Sequence, residues 1–257
     1  MYFWNTARAL GALAIISILL SAVAFLLWRN GPISFSSADE AYFEGERYFS
    51  ALTPEAYDIE KAEFFFKQAL AMNPKLPLVR HQLARIAFLK GDFNNALWLI
   101  NRELELGPEP IASTYYVRAL ILGFMGRYEE AAEDYAIFTK LEPKSWAGAN
   151  DYSWILLKLS RFSEAAKAAE QGLKTWPDSP WLLNSHATAL YEMGEIEKAR
   201  KVGIAALKAA ANVSENQWLL SYPGNDPAVA AEGILALQDS ILSNVHTILV
   251  AANKAGL

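Results

Sequence analysis

Histidines and carboxylates are the side chains of this chain that could do chemistry, and their spacing argues against it. His81, His186 and His246 lie far apart in the sequence, whereas a helix-borne zinc site of the protease type needs two histidines four positions apart on one face. There is no cysteine, so disulfides, thiol nucleophiles and cysteine-ligated metals are excluded, and the redox compartment is left open. Phosphate-cradling glycine loops and a glycine-flanked serine elbow are also missing. The acidic run EEAAED at 129–134 reads as the solvated face of a helix. Asn212-Val213-Ser214 is a glycosylation sequon, meaningful only in a secretory lumen. No catalytic residue, metal site or cofactor is assigned, and the chain reads as a non-enzyme.

Composition narrows the partners further. The 257 residues are 53% hydrophobic and 20% charged, with a net charge of −5, enough apolar material for one or two folded units. The first 30 residues carry only Arg8 and Arg29, so the remainder has 21 basic against 28 acidic side chains, or −7. Nucleic-acid binding draws on clustered Lys and Arg that release counterions, so an acidic body speaks against it. No small-molecule substrate is indicated.

Residues 9–28, ALGALAIISILLSAVAFLLW, contain no charge, and at about 1.5 Å per residue a helix of that length matches a bilayer's hydrocarbon core. Tyr2, Phe3 and Trp4 on one side and Trp28 with Arg29 on the other are suited to the two water interfaces. A rival reading is a cleaved signal peptide, since Ala22-Val23-Ala24 fits the small-x-small pattern. The apolar run continues past it to Trp28, which favours a retained anchor. The basic residues weakly favour an amino end inside and a body on the extracytoplasmic side.

The elements that must position any site emerge from a repeat. Ala62, Ala96, Ala131, Ala165 and Ala199 follow one another at intervals of 34, 35, 34 and 34 residues, and Pro74, Pro108, Pro143 and Pro177 at 34, 35 and 34. A small residue stands 12 positions before each of the last four alanines, at Ala84, Ala119, Ser153 and Ala187. Between them come a turn residue (Gly91, Gly126, Ser160, Gly194) and a large apolar one (Phe93, Tyr128, Phe162, Ile196). Small side chains let two antiparallel helices approach closely, glycine permits the reversal, and proline marks the end of the second helix.

This lettering resembles the tetratricopeptide repeat family. The resemblance implies an all-α fold: a right-handed superhelical solenoid of about five helical hairpins over 37–211. Before it stand a membrane anchor (1–30) and a linker (31–36); after it come a connecting loop (212–226) and a C-terminal capping helix (227–257). In the first hairpin Gly45 precedes Ala62 by 17 residues, so about five residues around SALTP are inserted in its turn. Thr53 and Pro54 suit the cap and first position of its second helix, and Asp226-Pro227 the start of the last helix. Ile234, Leu237, Ile241, Val245 and Ile248 keep three- and four-residue steps along that last helix. They form a stripe that either covers the final hairpin or pairs two chains as a homodimer. Glu232, Asp239, Asn244 and His246 make membrane insertion there expensive.

In the family's register the first helices line a concave groove. The residues this implies for peptide binding are His81, Arg85, Tyr116, Asn150, Trp154, Trp181, Asn184 and Tyr191. Aromatics there supply contact area at low entropic cost, while Asn150 and Asn184, at equal places in adjacent repeats, can donate to and accept from an extended backbone. The alternative for Trp154 and Trp181 is packing between neighbouring repeats. Family members that clamp a terminal carboxylate use several basic groove residues; here Arg85 is the lone candidate. The expected function is a membrane-tethered scaffold that binds a segment or helix of a partner protein, in assembling or stabilising an envelope complex. The other expectation is a structural subunit of a larger assembly, packed through its convex face or final helix.

Overall fold

The computed structural model describes residues 35–50, 53–107, 111–221 and 226–257. The apolar segment 9–28, Pro108 and the inter-repeat loop at Glu109-Pro110 lie outside the described residues. Residues 35–37, a short bend, belong to a separate N-terminal unit; all that follows concerns Ala38–Leu257.

Among the described residues every regular element is a helix. Five antiparallel hairpins succeed one another: α1 (Ala38–Tyr48) with α2 (Ile59–Met72), α3 (Val79–Leu89) with α4 (Phe93–Leu104), α5 (Ala112–Phe124) with α6 (Tyr128–Leu141), α7 (Trp146–Lys158) with α8 (Phe162–Leu173), and α9 (Pro180–Glu192) with α10 (Ile196–Ala210). A short α11 (Glu215–Leu219) and a long α12 (Ala230–Lys254) follow. Each second helix also packs on the next first helix, and successive first helices touch, α3 with α5, α5 with α7 and α7 with α9. This crowding puts the first helices on the inner face of a solenoid.

The repeating alanines explain the close approach. Ala62, Ala96, Ala131, Ala165 and Ala199 have no exposed surface, and Ala84, Ala119, Ser153 and Ala187 are fully or almost fully buried. A longer side chain at these crossings would push the helices apart. Ser153 is the polar exception, and its hydroxyl donates to the Ala165 carbonyl at 2.9 Å.

Four hairpin turns share one device. Gly91, Gly126, Ser160 and Gly194 adopt φ of 76°, 75°, 56° and 77°. In each, the next residue's N–H reaches back to the helix, as Asp92 to Ala87, Arg127 to Leu122, Arg161 to Leu156 and Glu195 to Leu190, all at 2.9 Å. This is the Schellman closure, which satisfies otherwise orphaned carbonyls and requires a left-handed residue.

The first hairpin departs from the expectation for its turn. Thr53 and Pro54 open a single 3-10 turn, Pro54–Ala56, and the Thr53 side chain makes no cap bond there. The second helix starts later, at Ile59, because Asp58 supplies the cap, its carboxylate accepting from the Lys61 N–H at 3.0 Å. The Asp58 N–H in turn donates to the Tyr48 carbonyl at 2.9 Å, closing the insertion onto α1.

At the other end, Asp226 caps a 3-10 turn, Pro227–Val229, that leads into α12. α12 packs along α10 and touches α9, the place a sixth first helix would take. Its Ile241, Val245 and Ile248 are buried against Leu183, Ala187, Leu190 and Ala206. Pro227–Lys254 is also long and apolar enough to cross a membrane by length and composition, with a mean hydropathy of 1.4.

Candidate functional site

The first helices place their polar residues in rungs that join one hairpin to the next. Gln82 on α3 donates to Glu46 on α1, and His81 Nδ1 lies 3.3 Å from the Thr114 hydroxyl on α5. Tyr116 on α5 donates to Asp151 Oδ2 on α7 at 2.7 Å. Ser185 on α9 donates to Asn150 Oδ1 on α7 at 2.9 Å, and Asn244 on α12 donates to Asn184 Oδ1 on α9 at 3.1 Å. Polar side chains in a helix stack must find partners or lose the desolvation cost of burial, and here the next hairpin supplies them.

Several of the groove candidates take part in these rungs. Asn150 is 8% exposed and donates its amide to Asp151 Oδ1 at 3.0 Å, so both ends of the amide are engaged within the fold. Asn184 is engaged by α12. The two amides therefore meet different partners within the fold, Asn150 through both of its groups and Asn184 through its oxygen. His81 is buried, and burial together with the nearby Arg85 charge lowers its pKa to about 3, holding it neutral. Trp181 packs against Trp146 with the rings tilted and their centroids 4.8 Å apart, in a second cavity of about 880 Å³ between α7, α9, α10 and α11. Tyr191 packs against Ala187, Leu190, Ala199 and Ile248 where α9, α10 and α12 meet.

Arg85, Tyr116, Asn150 and Trp154 do come together. They line a cavity of about 540 Å³ between α3, α5 and α7, whose other walls include Phe88, Leu120, Phe124, Tyr128 and Ile155. Its rim is aromatic: Phe88 and Phe124 meet edge to face at 4.9 Å, and Tyr128 meets Trp154 edge to face at 6.2 Å. Phe124 is 59% exposed and Trp154 39%. Gly123 keeps the wall thin, since a Cβ there would lie 2.9 Å from the Ile155 side chain.

The floor is polar and electrostatically tuned. Burial raises the Asp151 carboxyl to about 6, against the lowering effect of the hydrogen bonds from Tyr116 and Asn150. The Arg85 guanidinium lies 4.5 Å from the Phe49 ring centroid and donates to Gln82 Oε1 at 2.5 Å. Burial lowers its pKa to about 10, partly offset by Glu46, so it stays cationic at neutral pH. A pocket with an apolar aromatic mouth and a few polar groups below suits an apolar group.

Phe124 and Tyr128 were not among the sequence candidates. Both line this cavity and flank the Gly126 turn; Tyr128, the large residue after the glycine, reads as core from the lettering. The acidic run at 129–134 was misread in one place. Glu129, Glu130 and Glu133 are exposed, but Asp134 is 3% exposed and forms a two-bond pair with Arg118, at 2.6 and 2.7 Å.

Residues 116–180 match a family model described as tetratricopeptide repeat. That stretch is tetratricopeptide repeat by this match, and the hairpin stack around it shares its fold with solved repeat proteins. Solved structures similar to it include MamA AMB-1, at 17% identity and a TM-score of 0.55, covering 69% of this chain and 93% of that one. A second, MamA MSR-1, has 16% identity and a TM-score of 0.56, covering 69% and 98%. A third is YrrB, described as a tetratricopeptide-repeat protein with an unusual peptide-binding site, at 14% identity and a TM-score of 0.56, covering 68% and 88%. No curated protein matches the sequence.

Proposed function

We propose that this protein is a membrane-tethered scaffold that holds a segment or helix of a partner protein against the inner face of its repeats, in the assembly or stabilisation of an envelope complex. One observation carries the reading: the aromatic-mouthed cavity between α3, α5 and α7. Exposed aromatic side chains on a concave protein surface are the usual anchors of protein recognition. The peptide-binding site of YrrB, a protein of similar fold, supports the same use of the architecture. The partner inserts an apolar side chain between Phe88, Phe124 and Trp154, and its backbone runs past Arg85.

The tether is the uncharged segment 9–28. Confining the groove to a membrane surface raises its effective concentration toward partners embedded there. The test is a photo-crosslinking amino acid at position 124 in intact membranes, with position 98 as control, because Trp98 is 55% exposed on a second helix, α4. A discrete protein adduct formed at 124 and absent at 98 supports the reading. Equal adducts at both positions, or none at 124, refute it.

A further inference from the structure

The stripe of α12 read from the sequence as a possible dimer surface is buried on its own chain, which leaves the opposite side of the helix bare. That outer side carries Leu235 at 60% exposure, Leu242 at 56% and Val250 at 38%. Between and beyond these leucines and valine stand the exposed Glu232, Asp239, His246 and Lys254, and none of the four is in an ion pair among the described residues. At about 3.6 residues per turn, positions 232, 235, 239, 242, 246, 250 and 253 share one face.

The order along this face is acid, apolar, acid, apolar, imidazole, apolar, amide, with Lys254 adjoining its end. About a point between Leu242 and Ser243, Leu235 mirrors Val250 and Asp239 mirrors His246. We propose that two copies of this chain pair antiparallel through the outer faces of α12. A two-fold axis at that point sets Leu235 against the second copy's Val250, Asp239 against its His246, and Glu232 beside its Asn253 and Lys254. Self-complementarity of this kind is what an isologous dimer requires, and an acid set against an imidazole, a hydrogen-bond acceptor against a donor, favours the antiparallel register.

A bilayer is a poorer occupant of the same face. Four ionisable side chains on it would enter lipid. Full insertion would also unpack Ile241, Val245 and Ile248 and break two hydrogen bonds, Gln238 to the Ala210 carbonyl and Asn244 to Asn184.

The absence of cysteine makes the register directly testable in the full-length protein, reconstituted in phosphatidylcholine vesicles. Leu242→Cys is expected to give a disulfide-linked species of twice 28.5 kDa. A mixture of Leu235→Cys and Val250→Cys proteins is expected to crosslink, and each alone is not. His246→Asp in the Leu242→Cys background sets two acids face to face and lowers the yield several-fold; the exchange Asp239→His with His246→Asp restores it. Circular dichroism monitors folding of each variant, all altered at exposed positions. Crosslinking of Leu235→Cys alone as readily as of the mixture overturns the antiparallel register. A Leu242→Cys chain that stays single overturns the pairing, whether a membrane-impermeant maleimide labels it freely, meaning a bare face, or only in the absence of vesicles, meaning a lipid-covered one.

Discussion

Tyr116 and Asp151 meet across the α5–α7 boundary at 2.7 Å, the phenol donating to a carboxylate that also accepts from Asn150. Asn150 in turn accepts from Ser185. Three consecutive first helices are thereby tied through one buried polar chain that forms the floor of the candidate groove. Such chains carry a high cost when partly broken, since the low local dielectric that strengthens the bonds also penalises an orphaned group.

Tyr116→Phe removes the donor and leaves the Asp151 oxygen short of a partner. The expected loss is about 1–3 kcal/mol of unfolding free energy, read as a lower urea midpoint with unchanged slope.

Stability will depend on the ionisation of Asp151. Its folded pKa stands at about 6, raised by burial from 3.8, so the folded state holds the proton more tightly than the unfolded one. The contribution is fully present below the unfolded value and is lost as pH rises through the folded one. Between about pH 4 and 6 this group should remove roughly 3 kcal/mol of stability, at 1.36 kcal/mol per pKa unit. Asp151→Asn should flatten that part of the profile, measured as unfolding free energy at half-unit pH steps.

Arg118→Ala strands Asp134, which is 3% exposed and held by two bonds from the guanidinium. A loss of about 3 kcal/mol is expected, at the low end for a buried pair because Arg118 keeps some contact with water. Replacing both residues by leucine should recover much of it, and chemical denaturation of the three variants checks the pattern.

Ser160 is the one repeat turn among the four that asks a non-glycine residue to hold a positive φ, 56°. Ser160→Gly should raise stability by about 0.5–1 kcal/mol, and Gly126→Ala, at φ 75°, should lower it by roughly 1–2 kcal/mol. Thermal unfolding of both variants decides this.

Much of the fold was legible because the repeat writes its sterics into residue size. An alanine at a helix crossing and a glycine at a Schellman turn are each dictated by local geometry, so Ala131 and Gly126 could be placed without coordinates. The groove was legible only in outline. Tyr116 and Trp154 share a helical register, but whether a side chain faces a ligand or the adjacent hairpin depends on what the neighbour offers. Asn150 and Asn184 occupy equivalent positions and still meet different partners, Ser185 and Asn244. The inward register of α12 could be read from Ile241, Val245 and Ile248, while the later start of α2 turned on Asp58 having a better-placed carboxylate than the Thr53 hydroxyl.

The proposed seat of the partner segment is the cavity between α3, α5 and α7. Its most direct test is the affinity of the segment captured at position 124 for the native chain, for Phe124→Ala with Trp154→Ala, and for Trp98→Ala. Loss of two aromatic anchors is predicted to weaken binding at least about 30-fold, the equivalent of roughly 2 kcal/mol, with Trp98→Ala unchanged and all three proteins equally helical. Unaltered affinity in the double variant would contradict the account.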